Sequence, residues 1–129
     1  MAFIICGLFV ASPMQAQSRL DSLLVELDHV IVKEKEYTSR KENYLEKLKE
    51  QLRNQNLSGE SRYSIYQSLA GEYETFICDS AIVYANRALY EAADLKNASW
   101  MNDSRIQLAR GEAKAGMFSK TLDILNSIG

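Results

Sequence analysis

The chain has one histidine, His29, and it stands next to Asp28. A zinc site needs three or four His, Cys or carboxylate ligands converging on one point. No cysteine lies near this pair, so His29 reads as a solvated helix residue. Glu42, Glu46 and Glu50 recur at four-residue spacing, which aligns three carboxylates on one helical face. Lys47, Lys49 and Arg53 are interleaved with them, and a charged face laced with ion pairs explains the pattern better than a cation site. Asp79 and Ser80 have no histidine to complete a nucleophilic relay, and no phosphate-cradling glycine loop appears. Cys78, between Ile77 and Asp79, reads as a small buried hydrophobe. The sequence therefore indicates a protein that is not an enzyme, with no catalytic, metal or cofactor-binding residues and no cofactor.

Charge narrows the partners. Fifteen basic residues are interspersed with seventeen acidic ones, for a net charge of −2. Nucleic-acid binding draws most of its affinity from phosphate contacts and leaves a basic face, which this chain lacks. A protein or peptide partner is expected instead.

The elements that carry these residues are helical throughout. One proline and few Val/Ile/Thr runs argue for an all-α fold, and 129 residues suffice for one domain. The first segment differs. "AFIICGLFVA" (residues 2–11) is apolar, and "SPMQAQS" then turns small and polar. The pattern resembles a secretory signal peptide ending at Ala16, too short to span a bilayer. Residues 1–16 are expected to be a leader and 17–129 an exported helical domain. Cys78 is then the only thiol left, so no intrachain disulfide can form.

From Leu20 the apolar positions Leu23, Leu24, Leu27, Val30 and Ile31 follow helical spacing. The pattern pauses at "KEKEYTS", where Ser39 and Glu42 fit a capping box. It resumes with Tyr44, Leu45, Leu48 and Leu52. Residues 20–55 could form one bent helix or two; two helices are favoured. Leu45, Leu48 and Leu52 are too few for a sustained coiled coil. "NQNLSGES" is a loop, with Ser58 or Ser61 capping the next helix. That third helix carries Tyr63, Tyr66, Leu69, Ala70, Tyr73, Phe76 and Ile77 on its apolar face. Asp79 or Ser80 is expected to cap a fourth helix running to about Lys96. Asn97 caps a fifth, Gly116 ends it in a left-handed conformation, and a sixth spans about 118–128.

Self-similarity sets the architecture. "LAGEYETFICDSAIVYANRAL" from Leu69 and "LARGEAKAGMFSKTLDILNSI" from Leu108 share a Leu-Ala pair, a turn about ten residues on, and a small residue opening the next helix. These features resemble the tetratricopeptide repeat (TPR). The resemblance assigns repeat packing to Leu69, Ala70, Ala81, Ala88, Leu108, Ala109, Gly116, Phe118 and Leu125. It implies antiparallel helical pairs stacked as a right-handed superhelix, with an irregular helical bundle as the alternative. Ala81 and Thr121 are 40 residues apart, longer than the ~34 of a standard repeat. "LDSLLVELDHVI", "YTSRKENYLEKLK", "YSIYQSLAGEYETFICDSAIVY" and "GMFSKTLDIL" together resemble the N-terminal periplasmic part of gram-negative envelope-spanning regulators.

That resemblance implies a periplasmic interaction module, the front part of a longer regulator that would reach the membrane through downstream segments. Tyr66, Tyr73, Tyr84 and Tyr90 are the candidate partner-binding residues. The alternative is a self-associating structural protein, pairing through the apolar face of the last helix (Phe118, Leu122, Leu125, Ile128). A small-molecule-binding bundle would require a polar-lined internal cavity.

Overall fold

A computed structural model of the chain describes residues 11–129, with side chains from Pro13 onward. Most of the apolar run of the expected leader lies outside the described residues. Five helices follow in order: α1 (Ala11–Leu52), α2 (Gly59–Tyr73), α3 (Cys78–Asp94), α4 (Ala98–Lys114) and α5 (Phe118–Asn126). The chain divides into two compact units, Met1–Asn43 and Tyr44–Gly129.

The expected break at "KEKEYTS" does not occur. α1 is one uninterrupted helix, and Ser39 and Glu42 lie in its interior rather than at a cap. Lys and Glu are good helix formers, and no Gly or Pro falls between Pro13 and Gly59 to end the run. Ion pairs within the helix add support, Arg40 with Glu36 at 4.0 Å and Lys49 with Glu46 at 2.9 Å. Each is worth only a few tenths of a kcal/mol on a solvated face. A pause in the apolar stripe marks a change of surroundings there, and the backbone continues through it.

In the second unit, turns of a few residues join antiparallel helices, so each helix packs on its neighbour in sequence and α2 also touches α4. Ser58 starts α2, its hydroxyl accepting from the Ser61 amide at 3.2 Å. Asn97 starts α4, accepting from the Trp100 amide at 3.1 Å. Neither Asp79 nor Ser80 caps α3. Ile77 holds the cap position with no side-chain bond, because the amides of Phe76 and Ile77 both close on the Tyr73 carbonyl and return the chain to helix early. Asp79 thus sits in the first turn, where its charge favours the helix dipole. Phe76 and Ile77, expected on an apolar face, lie in this turn, 50% and 43% exposed.

α3 and α4 end alike. Lys96 (φ 54°) and Gly116 (φ 79°) are left-handed, and the next amide in each case reaches back to a helix carbonyl: Asn97 to Ala92 at 3.0 Å, Met117 to Glu112 at 2.8 Å. Glycine adopts this conformation without strain, whereas lysine must bring its Cβ close to a carbonyl. Lys96→Gly is therefore expected to stabilise the fold by about 0.5–1 kcal/mol, read as a higher urea midpoint with an unchanged slope. A lower midpoint would show that the Lys96 side chain contributes more than its strained backbone costs.

The core sets large residues from α1, α2 and α4 against alanines, most of them on α3. Leu45, Leu48, Ile65, Leu69, Tyr73 and Ala81 form one cluster, which joins the end of α1 to α2 and α3. Tyr63, Ala88 and Ala92 form a second, against Tyr66, Trp100 and Met101. Ala70, Ala85 and Leu108 form a third, which Ile124 of α5 joins. The whole stripe Ala81, Ala85, Ala88 and Ala92 is buried, so α3 presents a flat surface to both neighbours. Gly111 serves the same end on α4, since a Cβ there would stand 2.9 Å from Cγ1 of Ile82.

Candidate interaction surface

Of the expected packing residues, Leu69, Ala70, Ala81, Ala88, Leu108 and Ala109 lie in the core, and Gly116 shapes the turn before α5. Phe118 and Leu125 do not pack as expected. They are 69% and 46% exposed, because α5 meets the body through Ile124 and its other face has no neighbour among the described residues. Leu122 shares that bare face at 60% exposure.

The four candidate tyrosines separate by environment. Tyr73 is buried, so it belongs to the core rather than to a partner surface. Tyr90 is 73% exposed and stands apart. Tyr66 and Tyr84 are half-buried and stack on each other, centroids 6.3 Å apart, and Tyr84 stacks again on Tyr73 at 5.5 Å with its plane tilted by only 10°. Arg87 lies over both half-buried rings, its guanidinium carbon 5.5 Å from the Tyr84 centroid and 6.0 Å from that of Tyr66. Lys49 lies over Tyr73 at 5.7 Å. Cations over aromatic faces are attracted by the ring quadrupole, about 0.5–1 kcal/mol each at exposed sites.

The Tyr73 hydroxyl, followed by Glu46, holds the Lys49 ammonium well above the usual lysine range, so this end of the ladder keeps its positive charge. The hydrogen bond from Lys49 lowers the Glu46 carboxyl in turn. Sequence alone missed Arg87, although its place three residues after Tyr84 puts the two on one helical face.

Several polar side chains between α2 and α4 join in one network. Gln67 Nε2 donates to the fully buried Ser104 hydroxyl at 2.8 Å and to the Tyr63 hydroxyl at 3.0 Å, while Gln107 Nε2 donates to the Gln67 carbonyl at 3.2 Å. Tyr63 stacks flat on Trp100 at 4.4 Å, and burial pushes its hydroxyl pKa up. These bonds fix the register of α2 against α4. Arg62 pairs with Glu91 at 2.9 Å, and Lys114 with Glu74 at 2.9 Å, tying the outer edges. Among the described residues, no cluster of three His, Cys, Asp or Glu is placed to hold a metal ion.

The antiparallel pairs, the small-residue stripe and the Gly-aromatic turn converge on one class of fold. A family model described as the SusR N-terminal TPR domain matches residues 31–129. The chain belongs to that family. No curated protein and no solved structure matches it. The match selects the TPR-like stack over the irregular bundle, and TPR domains are protein-interaction modules. In this TPR domain the matched span begins within α1, so Leu20 to Val30 lie outside it.

Proposed function

We propose that the chain is the exported, partner-recognising part of a regulator, and that it binds a protein or peptide segment on the platform of Tyr66, Tyr84 and Arg87. The observation that carries this reading is the half-buried Tyr66–Tyr84 stack with the exposed Arg87 guanidinium above it. Rigid aromatic rings offer contact area at little entropic cost. An arginine already held over them can meet a carboxylate with its fork pre-oriented. A segment with an acidic residue next to an apolar one fits both features. Export rests on the apolar and then small-polar pattern of residues 1–16, and the regulator on the family's description as the N-terminal part of SusR.

Selection of peptides displayed on phage against the chain is expected to enrich such acidic-apolar segments. Arg87→Ala and Tyr66→Ala are each expected to weaken a selected peptide about tenfold, corresponding to ~1.4 kcal/mol. Peptides that bind both variants as well as the parent would place the recognition surface elsewhere. Recovery of the chain in the cytoplasm after osmotic release of the periplasm would refute export. A second reading, self-association through α5, draws on the bare face of Phe118, Leu122 and Leu125. Leu122→Glu is the variant that tests it.

A further inference from the structure

We infer that α1 is a dimerisation helix: the stripe from Leu20 to Ile31 pairs with the same stripe of a second copy, the two helices running parallel. Leu20, Leu23, Leu24, Leu27, Val30 and Ile31 share one face of α1 and are all exposed, from 39% at Ile31 to 62% at Leu23. Together they leave on the order of 500 Å² of contiguous apolar surface per chain, in the upper part of the range for the largest patch on a soluble monomer, and patches of that size often mark an interaction site. Two such faces brought together involve roughly 1,000 Å², the threshold for a specific, reversible interface.

Charge discriminates among occupants. The rest of this segment carries Asp21, Glu26 and Asp28, with no Lys or Arg between Leu20 and Val32. Helices that lie on membrane surfaces carry Lys and Arg on their polar face, so an anionic lipid surface is disfavoured. No described helix is long and apolar enough to cross a membrane. Spacing points to a helical partner of the same kind. Leu20, Leu24, Leu27 and Ile31 follow the four-three-four steps of a heptad seam, with Leu at the d positions (20 and 27) and Leu and Ile at the a positions (24 and 31).

The flanks set the direction. An antiparallel pair that aligned Leu20 with the other copy's Ile31 would bring Asp21 beside the other copy's Asp28, a like-charge contact on both edges. A parallel pair places Asp28 beside the other copy's Leu23 and keeps these carboxylates apart. The same register also sets where pairing stops. Its next core positions are Glu34, Thr38 and Lys41, where in-register copies would oppose like charges at 34 and 41. Beyond them Leu45 and Leu48 hold the register but are already buried in the repeat core.

The test is sedimentation of the full chain across a range of concentrations. A reversible monomer–dimer equilibrium is expected, abolished by L24E/L27E while the repeat unit stays folded, and unaffected by L122E on the bare face of α5. A chain that stays monomeric at all concentrations overturns the inference, as does a dimer that survives L24E/L27E or is lost in L122E. Orientation is read from Leu20→Cys with Cys6 and Cys78 replaced by Ser: mild oxidation links parallel copies, whereas position 20 is far from its counterpart in antiparallel ones. An unlinked dimer overturns the parallel arrangement. Flotation of the parent, but not of L24E/L27E, with vesicles containing phosphatidylglycerol assigns the stripe to lipid and likewise overturns it.

Discussion

Leu69→Ala is expected to cost about 2–5 kcal/mol, more than any other single truncation in the repeat unit. Leu69 is fully buried, and it sits where the end of α1 meets α2 and α3, among Leu45, Leu48, Ile65, Tyr73 and Ala81. Removing its isobutyl group subtracts the transfer energy of the lost carbons and adds the cost of whatever cavity remains. Collapse around the gap is restricted on one side, because Tyr73 is held between Tyr84 and Phe76 in a run of ring contacts. Helix propensity works slightly the other way, since alanine is the better helix former, so the measured loss slightly understates the packing contribution. Domains of this size are stable by roughly 5–15 kcal/mol, so the variant approaches the limit of folding. Urea denaturation is the measurement, with a lowered midpoint and an unchanged slope. Leu69→Met, which conserves volume, is expected to lose less than about 1.5 kcal/mol. Equal losses for the two variants would mean that shape at this position is not what holds the three helices together.

The cluster around Leu69 also shows what sequence could and could not reveal. The starts of α2 and α4 were legible because Ser58 and Asn97 act locally, through a side-chain oxygen and an amide three residues on. Gly116 was legible for the same reason, its left-handed backbone being a property of the residue itself. α1 was misjudged because the break rested on a change in apolar pattern, and pattern records surroundings rather than backbone continuity. Asp79 and Ser80 had the chemistry of a cap, yet the bonds onto the Tyr73 carbonyl decided where α3 begins.

Burial in an array depends on what stacks next, which one repeat does not encode. Phe118 and Leu125 match the repeat pattern and still lie exposed, while Ile124 reaches the core. Tyr66, Tyr73 and Tyr84 share a residue type and similar spacing. Tyr73 is the buried one, in the cluster that Leu45 and Leu48 of α1 share and with Phe76 against its ring, whereas Tyr66 and Tyr84 stay half-buried. The candidate platform was thus visible as a set of tyrosines, but its members and its arginine required the fold.

Ala88→Leu tests the alanine stripe from the opposite direction to Leu69→Ala. Ala88 is fully buried beside Ala92 and Tyr63, and the flat Tyr63–Trp100 stack covers the same cluster. Three added carbons must be fitted among these buried groups, so either α3 moves away from α2 or the rings leave their stacked geometry. Such overpacking costs typically 1–3 kcal/mol. Displacing Tyr63 also disturbs its hydroxyl, which receives Gln67 Nε2 and donates to the Trp100 carbonyl at 3.3 Å, so the cost is expected near the top of that range. Ala88→Gly is expected to lose about 1 kcal/mol for a different reason, the freedom of the glycine backbone within a helix. A loss in Ala88→Leu beyond the ~1 kcal/mol that glycine costs through its backbone is the part that reports crowding at this position. Tyr90→Ala on the exposed side of the same helix is the control, expected within about 0.5 kcal/mol of the parent. Thermal melts of the four proteins decide the matter. An Ala88→Leu protein as stable as the parent would show that α3 does not approach its neighbours through small residues, and the packing account of the repeat would fall with it.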